Sequence, residues 1–297
     1  NRQPVKALAW LMILLFLPAV GLILFFLFGM ETRGKRRYFV SDDDKHALAL
    51  LADGSCGGAT AAASVAPARE GHAKLTDMMQ AAASAPLVTG NAVEVFTTFD
   101  QMFASLKRDI EAATTTVNVQ FFKFENDPIG RELSQLLIRK AGEGVTVRVM
   151  YDSAANYSVC ANFYRRMRKG GVQVVSFMRL HLPFIRPFAN CRNHRKIVVV
   201  DGHIGYLGGM NIAERYSRGV HGGIWRDTHI RVTGPVVSQL QAVFLSDWRF
   251  ASRQLITDSI LFPPLHPAGA VPMQIVPAGP MDEWHSVMQG LLQVIAQ

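Results

Sequence analysis

The chain has 297 residues, 31 of them Lys or Arg against 23 Asp or Glu, for a net charge of +8. That length allows one large domain or two smaller ones, and the positive balance points to phosphates as partners, in nucleic acid or anionic lipid. Three cysteines, Cys56, Cys160 and Cys191, exclude a disulfide framework and a zinc site by odd number and spacing, leaving reduced thiols in a cytoplasmic domain.

Residues Ala7 to Gly29 carry no charge. As one helix they would span a hydrocarbon core of roughly 30 Å, and Pro18 and Gly21 are tolerated in membrane helices. A signal peptide is the rival reading; the length and the lack of a small-residue cleavage site before the basic run oppose it. Arg2 and Lys6 precede the span, and Arg33, Lys35, Arg36 and Arg37 follow it. The positive-inside rule then puts the long C-terminal part in the cytoplasm, and basic residues beside a span also attract acidic head groups.

From about Ser41 to Gly90 the chain is rich in Ala, Gly, Ser and Asp, which reads as a linker with one or two short helices. Asp42-Asp43-Asp44 reads as a solvated cap. The pattern becomes regular after Asn91. Strands are expected at Val93–Phe96, Val117–Phe124, Val145–Tyr151, Val172–Phe177 and about Thr228–Val232. Helices are expected from Thr98 or Asp100 to Ala113, from Pro128 to about Gly142, over the basic run 162–169, and from Pro235 to Trp248. Strands alternating with helices predict an α/β sandwich, a mixed sheet between helices. The stretch from Met178 to Arg192 mixes Arg, Phe and Pro and suits a loop at a membrane interface.

The densest chemistry lies between Arg192 and Asn211, in RNHRKIVVVDGHIGYLGGMN. IVVV is a buried strand, Asp201-Gly202 a turn, and Ile204 to Leu207 a returning strand. Alternation along a strand puts His194 and Lys196 on one face and Arg195 and Ile197 on the other. An imidazole can attack phosphorus or move a proton near neutral pH. An ammonium suits a phosphate oxygen. Gly208 and Gly209 permit close backbone approach, and the Asn211 amide can donate.

The spacing His-x-Lys, four residues, Asp, then Gly-Gly-x-Asn resembles the HKD motif of the phospholipase D superfamily. Other stretches narrow the resemblance to bacterial cardiolipin synthases: ENDPIGRELSQLL from Glu125, GVTVRVMYDSAAN from Gly144, WRDTHIRVTGPVV from Trp225 and FLSDW from Phe244. The family implies a phospholipase D-like mixed sheet sandwiched by helices, preceded by a transmembrane helix. On that division 1–37 is the anchor with its basic flank, 38–90 the linker, 91–268 the first HKD domain and 269–297 the start of a truncated second repeat. The repeat reading rests on MQIVPAGPMDEWHSVMQGLLQVIAQ, which restarts the strand, turn and helix order of VEVFTTFDQMFASLKRDIEAA.

By the same resemblance His194 is the nucleophile that forms a phosphohistidine. Lys196, Asn211 and Gly209 hold the substrate phosphate, Asp201 holds the motif's geometry, and Asp227 orients the histidine. The reaction implied is phosphatidyl transfer between two phosphatidylglycerol molecules, with release of glycerol and no metal or other cofactor. A second HKD motif is absent from these residues, so the resemblance implies a second half in cis or a homodimer. The implied setting is the bacterial inner membrane, with anionic phospholipid as partner and no nucleic acid. The rivals are a membrane-anchored phospholipase D that passes the phosphatidyl group to water, a nuclease, and a scaffold that keeps one motif without activity.

Overall fold

The computed structural model describes residues 4–25, 40–57, 65–66, 71–178, 192–219, 223, 225–279 and 286–296. The apolar N-terminal stretch forms two helices, α1 (Pro4–Phe16) and α2 (Pro18–Leu24), in place of one continuous rod. The cause is Pro18, which has no N–H to give to the preceding turn. Leu17 leaves the helical region at φ −133°, ψ 66°, although its own N–H still reaches Ile13 O at 2.9 Å. The continuous helix expected over Ala7–Gly29 is thus interrupted at Leu17, and no helix among the described residues is long and apolar enough to cross a membrane. Residues 26–29 and the basic run at Arg33, Lys35, Arg36 and Arg37 lie outside the described residues.

Two helices follow, α3 (Asp42–Ser55) and α4 (Ala73–Ala83). Ser41 caps α3 by accepting from Asp44 N at 3.1 Å, and three aspartates in the first turn suit the helix dipole. Asp44 also pairs with Arg249 Nε at 2.9 Å. Leu48, Ala52 and Cys56 are buried, so α3 is seated on the main core.

The main body is an eight-stranded mixed sheet in the order β4-β3-β2-β5-β6-β7-β1-β8. Its strands are β1 (Val88–Phe96), β2 (Thr116–Phe121), β3 (Thr146–Asp152), β4 (Gln173–Phe177), β5 (Ile197–Val200), β6 (Ile204–Gly208), β7 (His229–Thr233) and β8 (Val271–Met273). β2, β3 and β4 are parallel neighbours, joined by α6 (Pro128–Gly142) and α7 (Ala161–Lys169). The remaining pairings are antiparallel. On one face α5 (Phe99–Ala112), α6 and α7 cover Val117, Val119, Val147, Val149, Val198 and Tyr206. The short α8 (Arg215–Arg218) follows β6, and on the other face α9 (Val236–Ser252) covers Ile197, Val199 and Val232. The expected mixed sheet sandwiched by helices is what forms.

β1 begins five residues before the expected Val93. Gly90 takes φ +82°, and Asn91 Nδ2 donates to Val88 O at 3.1 Å and to Val271 O at 2.9 Å. The end of the expected linker is therefore part of the strand, with an irregularity between Val88 and Asn91. β2 ends earlier than expected, at Phe121; beyond it Phe124 makes a single bridge to Ile212.

Candidate active site

His194 and Lys196 sit on the irregular segment 192–196 that leads into β5, and three anchors fix it. Asn193 N donates to Asp152 Oδ2 at 3.3 Å. Asn193 Nδ2 donates to Asp247 Oδ2 at 2.8 Å, and Arg195 Nη1 to Asp247 Oδ1 at 2.5 Å. Gln120 Nε2 fills the rest of that carboxylate at 2.7 Å. Asp247 belongs to α9, so Arg195 is drawn to the α9 face and His194 and Lys196 to the opposite one, the alternation expected from the sequence.

Lys196 is 3% exposed. Its Nζ donates to His194 O at 2.7 Å and lies 3.0 Å from His194 Nδ1. The Phe122 ring stacks obliquely on the imidazole at 4.6 Å and lies 5.4 Å from Nζ. Burial pushes the Lys196 pKa down to about 8, with the Asp227 charge opposing. Burial, and then the Lys196 charge, lower the His194 pKa, while Asp152 and Asp227 pull it up. At pH 7 this leaves a neutral imidazole beside a largely protonated ammonium, the pair needed for attack on a phosphate ester.

Asn211, three residues beyond the end of β6, is buried. Its Oδ1 accepts from Lys123 N at 3.0 Å and its Nδ2 donates to Tyr216 OH at 2.7 Å, which fixes the amide plane. A methyl group built at Gly209 would overlap the Asp227 carboxylate. Gly209 N also donates to Thr228 O at 2.8 Å. Asp227 is thus packed on Gly209 and acts on Lys196 and His194 through its charge, while its Oδ1 accepts from Thr228 N at 2.8 Å. Gly209→Ala should destabilise the fold by about 1–3 kcal/mol through overpacking. A urea midpoint equal to that of the parent would show that Asp227 moves aside without cost.

Asp201 is not brought into this cluster. It stands beyond the far end of β5, where Oδ1 accepts from Thr115 N, Thr115 Oγ1 and Thr116 N at 2.8–2.9 Å. Oδ2 accepts from Thr114 N at 2.8 Å and from Thr114 Oγ1 at 3.1 Å. Its part is to tie the β5–β6 turn to the start of β2.

Sequence reading missed Asp247, Asp152, Phe122, Tyr216 and His229 around the site. Of these only His229 carried a usable signal: Asp-x-His-x-Arg at Asp227, His229 and Arg231 puts three polar side chains on one face of a strand. Among the described residues no group of three or more His, Cys, Asp or Glu could hold a metal ion. Cys191 and most of the 178–192 loop lie outside the described residues.

Residues 106–248 match the family described as "Cardiolipin synthase, PLD-like domain", and residues 1–29 match "Phospholipase_D-nuclease N-terminal". A cardiolipin synthase of Staphylococcus aureus (strain Mu50) is 34% identical over 294 residues, which are 97% of this chain and 59% of that protein. A cardiolipin synthase of Geobacillus kaustophilus is 32% identical over 292 residues, 97% of this chain and 58% of that protein. Among solved structures, NucT from Helicobacter pylori aligns with a TM-score of 0.43 at 14% identity, over 54% of this chain and 98% of that one. The family matches place the chain in the phospholipase D superfamily. Within it, residues 106–248 belong to the PLD-like domain family of cardiolipin synthases. The chain spans about three-fifths of the length of the curated relatives it matches.

Proposed function

We propose that this chain is the first catalytic half of a cardiolipin synthase. The observation that carries the reading is the pairing of His194 with Lys196, 3.0 Å separating Lys196 Nζ from His194 Nδ1, on a chain akin to cardiolipin synthases over almost its full length. His194 attacks the phosphorus of one phosphatidylglycerol. The bond from phosphorus to the glycerol head group breaks, and glycerol leaves with a proton. The primary hydroxyl of a second phosphatidylglycerol then attacks phosphorus, loses its proton, and breaks the bond to His194. Lys196 and Asn211 hold the phosphoryl oxygens, Asp227 tunes both titrating groups, and Asp201 keeps the β5–β6 turn in place. Donors fixed in a partly dry site stabilise the five-coordinate transition state without reorganising.

A second HKD half, in cis or from a second copy, would protonate the leaving alcohol, a contribution of roughly 10²–10⁴-fold. We further propose that residues 1–37 attach the protein to the bacterial inner membrane with the catalytic part on the cytoplasmic side, that 38–90 link it to an HKD domain over 91–268, and that 269–297 open a second repeat.

The test supplies phosphatidylglycerol as the only lipid in mixed micelles, to this chain and to the chain joined to a second HKD half. The joined protein should make cardiolipin and glycerol in equal amounts, His194→Asn should abolish both, and this chain alone should be slower by at least about a hundredfold. Phosphatidic acid as the only product would replace the transferase reading with the hydrolase one. Full turnover by this chain alone would replace the half-site reading with a self-associated site.

A further inference from the structure

Behind Lys196 lies an imidazole that the reaction above does not use. His229 opens β7, two residues after Asp227 and two before Arg231, and so shares their face of the sheet. That face is the one under α5: Arg231 Nε donates to Asp109 on α5 at 2.6 Å. Across the sheet His229 is paired with Gly208 on one side and Phe96 on the other. The β5–β6 register pairs Ile197 with Leu207, so the next pair outward is Lys196 with Gly208. Lys196, Gly208, His229 and Phe96 therefore form one row, all directed to one face.

Gly208 adds no side chain to this row, and the His229 ring fills its place: a methyl group there would lie 2.7 Å from His229 Cγ. Two strand spacings put the Lys196 and His229 backbones roughly 10 Å apart. A lysine stem and an imidazole close that gap from opposite sides. His229 is 1% exposed, and neither ring nitrogen has a hydrogen-bond partner among the described residues. Burial, and then the Lys196 charge, push its pKa down to about 3, so the ring is neutral. A neutral imidazole holds one donor and one acceptor, and burying them unpaired is costly. Lys196 Nζ has three hydrogens, and its contacts with His194 all lie on one side.

We propose that His229 is a positioning residue for Lys196, accepting an N–H from Nζ on a ring nitrogen once a phosphate draws that ammonium away from the His194 ring. The inference rests on the phosphate-binding role proposed above. No covalent bond changes. The exchange frees His194 Nδ1 and leaves Lys196 held between a buried acceptor and a phosphoryl oxygen. The titratable groups around Lys196 are His194 on its own segment and Asp227 and His229 from β7; Asp152, at the end of β3, acts on His194.

The test follows Lys196 and the histidine rings by NMR in this chain, with inorganic phosphate as the probe. Phosphate should shift a His229 ring nitrogen to the value of a hydrogen-bonded acceptor. His229→Phe keeps the bulk and removes the acceptor. It should weaken phosphate binding about tenfold and lower the Lys196 titration, because the acceptor favours the charged amine. His229→Gln should restore most of both. The inference is overturned if His229→Phe changes neither, or if Gln is as impaired as Phe. Should His229→Phe fail to fold, an unchanged His229 ring signal on adding phosphate to the parent chain overturns it. Lys196→Ala and His194→Asn separate the two levels. If they abolish phosphate binding and His229→Phe leaves it unchanged, only the role of His229 falls. If they leave binding intact, the phosphate site falls and this inference with it.

Discussion

Asp247→Ala should destabilise the domain by about 3–5 kcal/mol and abolish turnover together. Asp247 is 7% exposed, and its two oxygens accept from Gln120, Asn193 and Arg195. Removing the carboxylate takes an acceptor from two amides, and from a guanidinium that also reaches Ala278 O, in a largely dry layer between β2 and α9. The segment 192–196 has no ladder hydrogen bonds of its own, so its course depends on these side chains. The His194–Lys196 geometry should be lost even in molecules that remain folded. Asp247→Asn keeps the shape and one acceptor oxygen, and should recover part of the stability but not the charge-assisted bond to Arg195. Urea melts followed by circular dichroism measure the first effect, and cardiolipin formation by the joined protein the second. A loss under about 1 kcal/mol for Asp247→Ala would show that Asn193 and Arg195 find other partners and that α9 does not hold the motif.

Asp201→Ala should cost about 3 kcal/mol, mostly from charge-assisted bonds to the Thr114–Thr116 backbone. A further contribution of roughly 1–2 kcal/mol arises because Asp201 sits at φ 50°, a left-handed conformation that Asp and Asn tolerate and Ala does not. Asp201→Asn should therefore be the milder change. Burial raises the Asp201 pKa, but the hydrogen bonds from Thr116, Thr114 and Thr115 outweigh it and leave the net value lowered from 3.8. A lowered folded pKa means that this stabilisation is complete above the unfolded value and is lost as pH falls through the folded one. The parent should thus shed stability below about pH 4, and Asp201→Ala should lack that part of the acid limb. Identical acid limbs in the two proteins would place the acid sensitivity elsewhere, with Asp109 the next group to test.

The strands and helices that bury a periodic apolar face were readable in advance. IVVV is an unbroken β-branched run, VTVRVMY and the helix opening at Pro128 have periods of two and 3.6 that nothing else in the sequence opposes, and the His194–Lys196 face followed from alternation alone. Three features were not readable. Leu17 and Pro18 break the N-terminal helix because one missing N–H outweighs apolar continuity. Residues 88–92 did not read as strand because an Asn91 bond that keeps them inside β1 reaches Val271, 180 positions away. Asp247 and Asp152 looked like ordinary polar residues on a helix and at a strand end. Their value lies in partners that only the folded chain brings near.

The pairing of β8 with β1 bears on how the protein is made. The inner edge of β1 is taken by β7, complete at Thr233, while its outer edge waits for Val271–Met273. At roughly 5–20 residues per second a ribosome needs about 2–8 s to add the intervening stretch. During that interval β1 presents a row of unpaired backbone groups, a template on which the β1 of a neighbouring nascent chain could dock. The arrival of β8 ends that exposure, so the moment of greatest aggregation risk in synthesis falls after His194, Lys196 and Asn211 have been made and before their sheet is closed.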